Sequence, residues 1–169
     1  RLWHAAVASG QSLRERAAPA TTVTCCLSKG LGAPIGSLLA GPTDLMAAAV
    51  VERQRLGGAM RQAGVIAAAG LVAIRTGVAR LVEDHERARR LAVAVADRWP
   101  AAGVDPKEVA TNIVVFFHPD ADGLLAYLKQ QGVLAGTVAP GVVRLVTHAD
   151  VDDAGIEAAC RAIAGAPDR

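Results

Sequence analysis

Aromatic residues are nearly missing from this chain. Two Trp, two Phe and one Tyr make up 3 % of its 169 residues, so large rings cannot fill its core. The core must be packed from Ala, Val, Leu and Ile, and a 52 % hydrophobic content makes that feasible. Cysteine is scarce too. Cys25, Cys26 and Cys160 are odd in number and form no CxxC pair. That argues against a disulfide framework or a zinc site and favours a reducing cytoplasm. Neither sign of charge dominates: 18 basic residues face 16 acidic ones, for a formal net charge of +2. Such a balance excludes a broad nucleic-acid or anionic-membrane surface. The longest apolar run, Ala63 to Ile74, is short for a bilayer and broken by glycine. No targeting signal is visible. The first residue is Arg1, with no Met, and Leu2, Trp3, Ala5, Ala6 and Val7 already read as the side of a helix. The expectation is that a strand or loop precedes Arg1 in a longer protein.

Along the chain, Arg1 to Ala8 reads as a short helix ending near Ser9-Gly10. Gln11 to Ala20 is polar and then small, with Pro19 as a breaker. Thr21 to Leu27 is β-branched and apolar without strict alternation, the pattern of a strand buried on both faces under helices. Cys25 and Cys26 fall on opposite faces of it and read as core residues. A glycine-rich turn follows, then a second short strand over Ile35 to Ala40. Thr43 reads as the N-cap of a helix over Leu45 to Leu56, which Gly57-Gly58 interrupts. Met60 to Arg75 reads as a buried helix, and Val78 to Trp99 as a strongly amphipathic one with His85 on its apolar side. Beyond Pro100 come strands at Asn112 to Phe117, Val133 to Val138 and Val142 to Thr147, with helices at Ala121 to Gln131 and Val151 to Ala164. His118-Pro119 reads as loop only. The division expected is 1–75, a connecting helix over 76–100, and a small α/β domain over 101–169.

Lysine is the residue whose rarity matters most. Only Lys29, Lys107 and Lys129 occur. Lys29 stands at the end of a strand, where open α/β sheets place their ligands. Partial burial there would favour the neutral amine, which attacks aldehydes. Adjacent glycines would let the backbone pass close to a flat cofactor. A lysine snorkelling from a strand end is the plain alternative. Arg61 sits at a helix start, where an arginine suits phosphate or simply faces solvent. Arg144 interrupts the apolar strand Val142-Val143-Arg144-Leu145-Val146, so it calls for an anionic partner, either a substrate carboxylate or a structural Asp. His4 lies one turn after Arg1 and could approach the same site. His148, alone at a strand end, reads as structural.

Taken in order, these segments resemble one family. Leu27-Ser28-Lys29-Gly30-Leu31-Gly32-Ala33-Pro34-Ile35-Gly36-Ser37 resembles the lysine segment of low-specificity L-threonine aldolases. Gly57-Gly58-Ala59-Met60-Arg61-Gln62 resembles their GGGMRQ-type segment. Glu83-Asp84-His85 and Val143-Arg144-Leu145-Val146-Thr147-His148 match further shared stretches. The resemblance implies an α/β fold of type I, the aspartate aminotransferase-like fold of PLP-dependent transferases. This chain would hold the later part of the large domain and the small C-terminal domain. It implies pyridoxal 5'-phosphate as cofactor, with Lys29 as the Schiff-base lysine and Arg61 on the cofactor phosphate. Arg1 and Arg144 would bind the substrate carboxylate. The implied reaction cleaves β-hydroxy-α-amino acids such as threonine to glycine and an aldehyde, without metal. A cytoplasmic homo-oligomer acting on a small amino acid, with no nucleic-acid or membrane partner, completes the expectation.

There are departures. The aspartate that pairs with the pyridine nitrogen, the upstream phosphate loop and the ring-stacking histidine do not occur in this sequence. His4 stands where relatives often have asparagine, Ala59 replaces a glycine, and Gln54 stands where a lysine is common. A second reading follows: an inactive truncated remnant that keeps only a structural or oligomerisation role. A third, another type I enzyme such as a serine hydroxymethyltransferase or tyrosine phenol-lyase relative, is opposed by the Gly57 to Gln62 segment.

Overall fold

The computed structural model describes residues 1–167. The chain forms two compact units, Arg1–Leu81 and the residues from Val82 onward.

The first unit begins with α1 (Leu2–Ser9), which Gly10 closes in a left-handed conformation, φ 68°. α2 (Leu13–Ala17) follows at once. Its start is a capping box: the Ser12 N–H donates to Glu15 Oε2 at 2.7 Å, and the Glu15 N–H donates to Ser12 Oγ at 3.3 Å. The Ser-x-x-Glu spacing that marks this helix stands in the sequence, although the polar composition hides it. β1 (Val23–Cys26) and β2 (Ser37–Ala40) pair antiparallel, with Cys25 opposite Leu38. The expected strand buried on both faces is therefore corrected. β1 has one neighbour among the described residues, its residues are at most half-buried, and β2 is exposed throughout. α3 (Thr43–Arg55) has Pro42 at its N-cap position, so Thr43 is its first residue and not its cap.

α4 runs unbroken from Gly64 to Arg98, 35 residues. The sequence reading divides it in two, because its first half is apolar all round and its second half is amphipathic. The first half is not buried either. Val65 is 76 % exposed and Val72 61 %, since the small core of this unit reaches only one side of the helix. By length and composition alone α4 could cross a membrane, so the argument from a short apolar run does not hold for the folded helix. The core of this unit gathers Trp3, Leu27, Leu31, Ala33, Ala73 and Leu81.

The second unit holds the remainder of α4, β3 (Ile113–Phe117), α5 (Ala121–Gln130), β4 (Gly136–Ala139), β5 (Val142–Val146) and α6 (Asp153–Ala164). The sheet order is β3-β5-β4, antiparallel throughout. Period-two alternation buries Val114, Phe116, Val143 and Leu145 on one face. Leu124, Leu128, Ile156 and Ile163 cover that face from α5 and α6, each about 1 % exposed. Burying each is worth roughly 1.5–3 kcal/mol before entropy is charged against it. Both helices start on aspartate caps: Asp120 accepts from the Gly123 N–H at 2.9 Å and Asp152 from the Gly155 N–H at 2.8 Å. Thr147 anchors the end of β5 by donating from Oγ1 to the Asp84 carbonyl at 2.6 Å. His85 is buried, as its place on the apolar side of the helix implied. His118 follows β3 in a loop, as expected, but is 1 % exposed and lies edge-on to Trp99, ring centroids 5.0 Å apart.

Candidate active site

Lys29 lies in the connection between β1 and β2. The chain closes there by short-range bonding: the Leu27 N–H donates to the Gly36 carbonyl at 2.9 Å, and the Ala33 N–H donates to the Leu27 carbonyl at 3.0 Å. Inside that ring the Gly32 N–H donates to the Lys29 carbonyl at 2.9 Å, with Gly32 at φ 73°, a turn that only glycine takes without strain. The backbone is thus bonded at both ends of the loop while the Lys29 side chain stands exposed. The expectation of a half-buried, desolvated lysine is corrected on this point. The loop presents the amine outward, because its apolar anchors Leu27, Leu31 and Ala33 take the inward positions. No ion pair involves Lys29 among the described residues.

Three side chains hold the loop from behind. Trp3 Nε1 donates to the Cys26 carbonyl at 3.0 Å, and the buried His4 imidazole lies so close to Gly30 that a Cβ there would overlap it. Arg80 Nη2 donates to the Gly30 carbonyl at 3.2 Å. Of these, only His4 was singled out in the sequence. Arg80 carries no local signal, since its role depends on the register of α4 against a loop 50 residues earlier.

The other expected site residues are distributed as follows. Arg1 is exposed at the start of α1, the helix that Trp3 and His4 bring against the Lys29 loop. Arg61 is exposed in the turn before α4, not at the helix start, next to Gln62 at φ 54°. No hydrogen bond or ion pair among the described residues joins Arg61 to the Lys29 loop. Arg144 belongs to the second unit, and its setting differs from the expectation. β5 buries only one face, and Arg144 lies on the other, exposed beside Val115 of β3. It therefore needs no buried counter-charge. The cysteines are free thiols. Burial pushes the Cys25 thiol above its ordinary range, with the neighbouring Cys26 adding to the effect, so it is no ready nucleophile. Among the described residues no group of three or more His, Cys, Asp or Glu side chains is placed to hold a metal ion.

Comparison with known proteins gives a consistent result. A beta-eliminating lyase family profile matches residues 1–119. The low specificity L-threonine aldolase of Escherichia coli strain K12 is 42 % identical over 153 residues, covering 89 % of this chain and 44 % of that protein. Low-specificity L-threonine aldolase 1 of Arabidopsis thaliana is 35 % identical over 153 residues, 88 % of this chain and 42 % of its own length. The chain thus spans less than half the length of these relatives. Among solved structures, a Listeria monocytogenes protein provisionally named an L-allo-threonine aldolase superposes with a TM-score of 0.74 at 19 % identity, over 97 % of this chain and 49 % of that one. The serine palmitoyltransferase of Sphingomonas wittichii does so with a TM-score of 0.69 at 19 % identity, over 92 % and 42 %.

Proposed function

This chain belongs to the beta-eliminating lyase family, and we propose that the protein is an aldolase that cleaves L-threonine-type β-hydroxy-α-amino acids to glycine and an aldehyde. Its fold is that part of the type I fold of PLP-dependent enzymes which it shares with the two solved structures. Pyridoxal phosphate is the cofactor of this family and fold. When bound, it supplies an electron sink for breaking a bond at the substrate Cα.

The residues fit that group at its anchoring point. Lys29 offers an exposed amine on a loop whose backbone is bonded at both ends, and an accessible amine is what attack on an aldehyde requires. The family match across residues 1–119, with this loop inside it, is the observation that carries the reading. Arg144 and Arg1 bind the substrate carboxylate, a planar anion that suits a guanidinium fork. Arg61 holds the cofactor phosphate, supplied to the site of a neighbouring copy. The protein works as a homo-oligomer in the cytoplasm, a setting in which its free thiols stay reduced. The proposed division is a large-domain part over residues 1–75, a connecting helical segment over 76–100, and a small domain over 101–169.

The test is chemical. The holoenzyme is reduced with borohydride and digested, and the pyridoxyl group is located by peptide mapping. It is expected on Lys29. Lys29→Ala is expected to abolish threonine cleavage as well as the adduct. A pyridoxyl group elsewhere, or full turnover in the variant, refutes the role.

A further inference from the structure

The loop that carries Lys29 rests on one face of α4, and the face is built for it. Gly70, Ala73, Gly77 and Leu81 recur at helical spacing and are all buried. A Cβ added at Gly70 would lie 2.9 Å from Leu27 Cδ1. At Gly77 it would lie 3.0 Å from the Leu31 carbonyl oxygen and 3.2 Å from its Cα. Backbone therefore meets helix where no side chain fits. At the far end of this seat stands half-buried Arg80, whose Nη2 donates to the Gly30 carbonyl at 3.2 Å.

That bond is unusual in its placing. The Lys29 carbonyl is taken by the Gly32 N–H inside the loop, so the turn can form by itself. The Gly30 carbonyl is held from outside, by a cation on another element. With one carbonyl bound locally and the next bound to α4, the peptide planes after the Lys29 Cα have a fixed orientation. So does the direction in which its side chain leaves the backbone. An aliphatic residue in place of Arg80 would complete the apolar seat equally well, but would leave the Gly30 carbonyl without this charged donor.

We infer that Arg80 is a positioning residue for Lys29, fixing through the Gly30 carbonyl the direction in which the amine is presented. The inference rests on the reading of Lys29 as the anchoring lysine. A bound chromophore reports such a fixed direction by its visible circular dichroism, which vanishes when the group rotates freely.

The experiment compares the holoenzyme with its Arg80→Met, Arg80→Lys and Gly77→Ala variants. Arg80→Met is expected to keep the borohydride-trapped pyridoxyl group on Lys29. It is expected to lose about half or more of the visible circular dichroism and roughly 10-fold in kcat, with little change in KM. Arg80→Lys, which keeps a charged donor, recovers most of both. Gly77→Ala favours the helix itself but presses on the Leu31 carbonyl, and should shift the dichroism in the same direction. Unchanged dichroism and kcat in a folded Arg80→Met variant overturn the inference, as does an Arg80→Lys variant no better than Arg80→Met. If Arg80→Met does not fold, unchanged dichroism in Gly77→Ala overturns it. A pyridoxyl group missing from Lys29 in the unsubstituted enzyme sinks the anchoring role, and the inference with it. Its presence beside an unaltered Arg80→Met spectrum sinks the positioning role alone.

Discussion

Trp3 donates its indole N–H to the Cys26 carbonyl at 3.0 Å, tying the first helix to the strand that leads into the lysine loop. The ring itself is 8 % exposed and belongs to the small core of the first unit. Trp3→Phe keeps most of the packing and removes the donor. It should cost about 1 kcal/mol, whereas Trp3→Ala, which also opens a cavity, should cost roughly 3–5 kcal/mol. Urea unfolding followed by far-ultraviolet circular dichroism measures both. No loss in Trp3→Phe would show that the bond contributes nothing.

A second expectation concerns His118. Neither ring nitrogen has a hydrogen-bond partner, although the residue is 1 % exposed. A buried polar atom without a partner is a cost carried by the folded state. His118→Leu should therefore raise stability by about 1 kcal/mol, provided the Trp99 ring keeps its neighbour. A fall in the urea midpoint would mean that the imidazole is satisfied in solution.

His85 gives a pH dependence. Burial, and then the Arg89 charge, push its pKa below the ordinary histidine value, against the opposing pull of Asp84 and Glu86. A base with a depressed folded pKa takes a proton more readily when unfolded. Its contribution to stability is therefore complete above the unfolded pKa, about 6.5, and is lost as pH falls from there towards the folded value. Urea midpoints should decline on acidification below about pH 6.5, and His85→Gln should flatten that decline. An identical slope in the variant would assign the titration elsewhere.

The apolar side of α4 offers a test by solubility. Val65, Leu71 and Val72 are 76 %, 52 % and 61 % exposed. The 169-residue chain on its own should self-associate through such a surface. Val65→Gln with Val72→Gln should lower its weight-average mass in sedimentation. A cleanly monomeric unsubstituted chain would remove the basis for this expectation.

The sequence carried some of these features plainly and others not at all. The second unit was legible, because β5 and α6 alternate and repeat with their own periods and own caps. Lys29 was legible as a loop lysine through its glycines. The continuity of α4 was not, because its apolar first half and amphipathic second half read as two helices, whereas Gly70 and Gly77 lie within one helix as the contact surface for Leu27 and Leu31. The exposure of Arg144 was missed for a related reason. An apolar run around one arginine looks the same whether a sheet is covered on one face or on both. Arg80 could not be found by any local rule, since its partner is set by packing alone.

α3 has 13 residues and none of them buried. A helix this short holds its shape in water only weakly by itself. Amides along Thr43–Arg55 should thus exchange with solvent long before those of β5, and a protease should open this chain there first. Any slowing of that cleavage by a binding partner would report how much of the helix's order is lent by its surroundings.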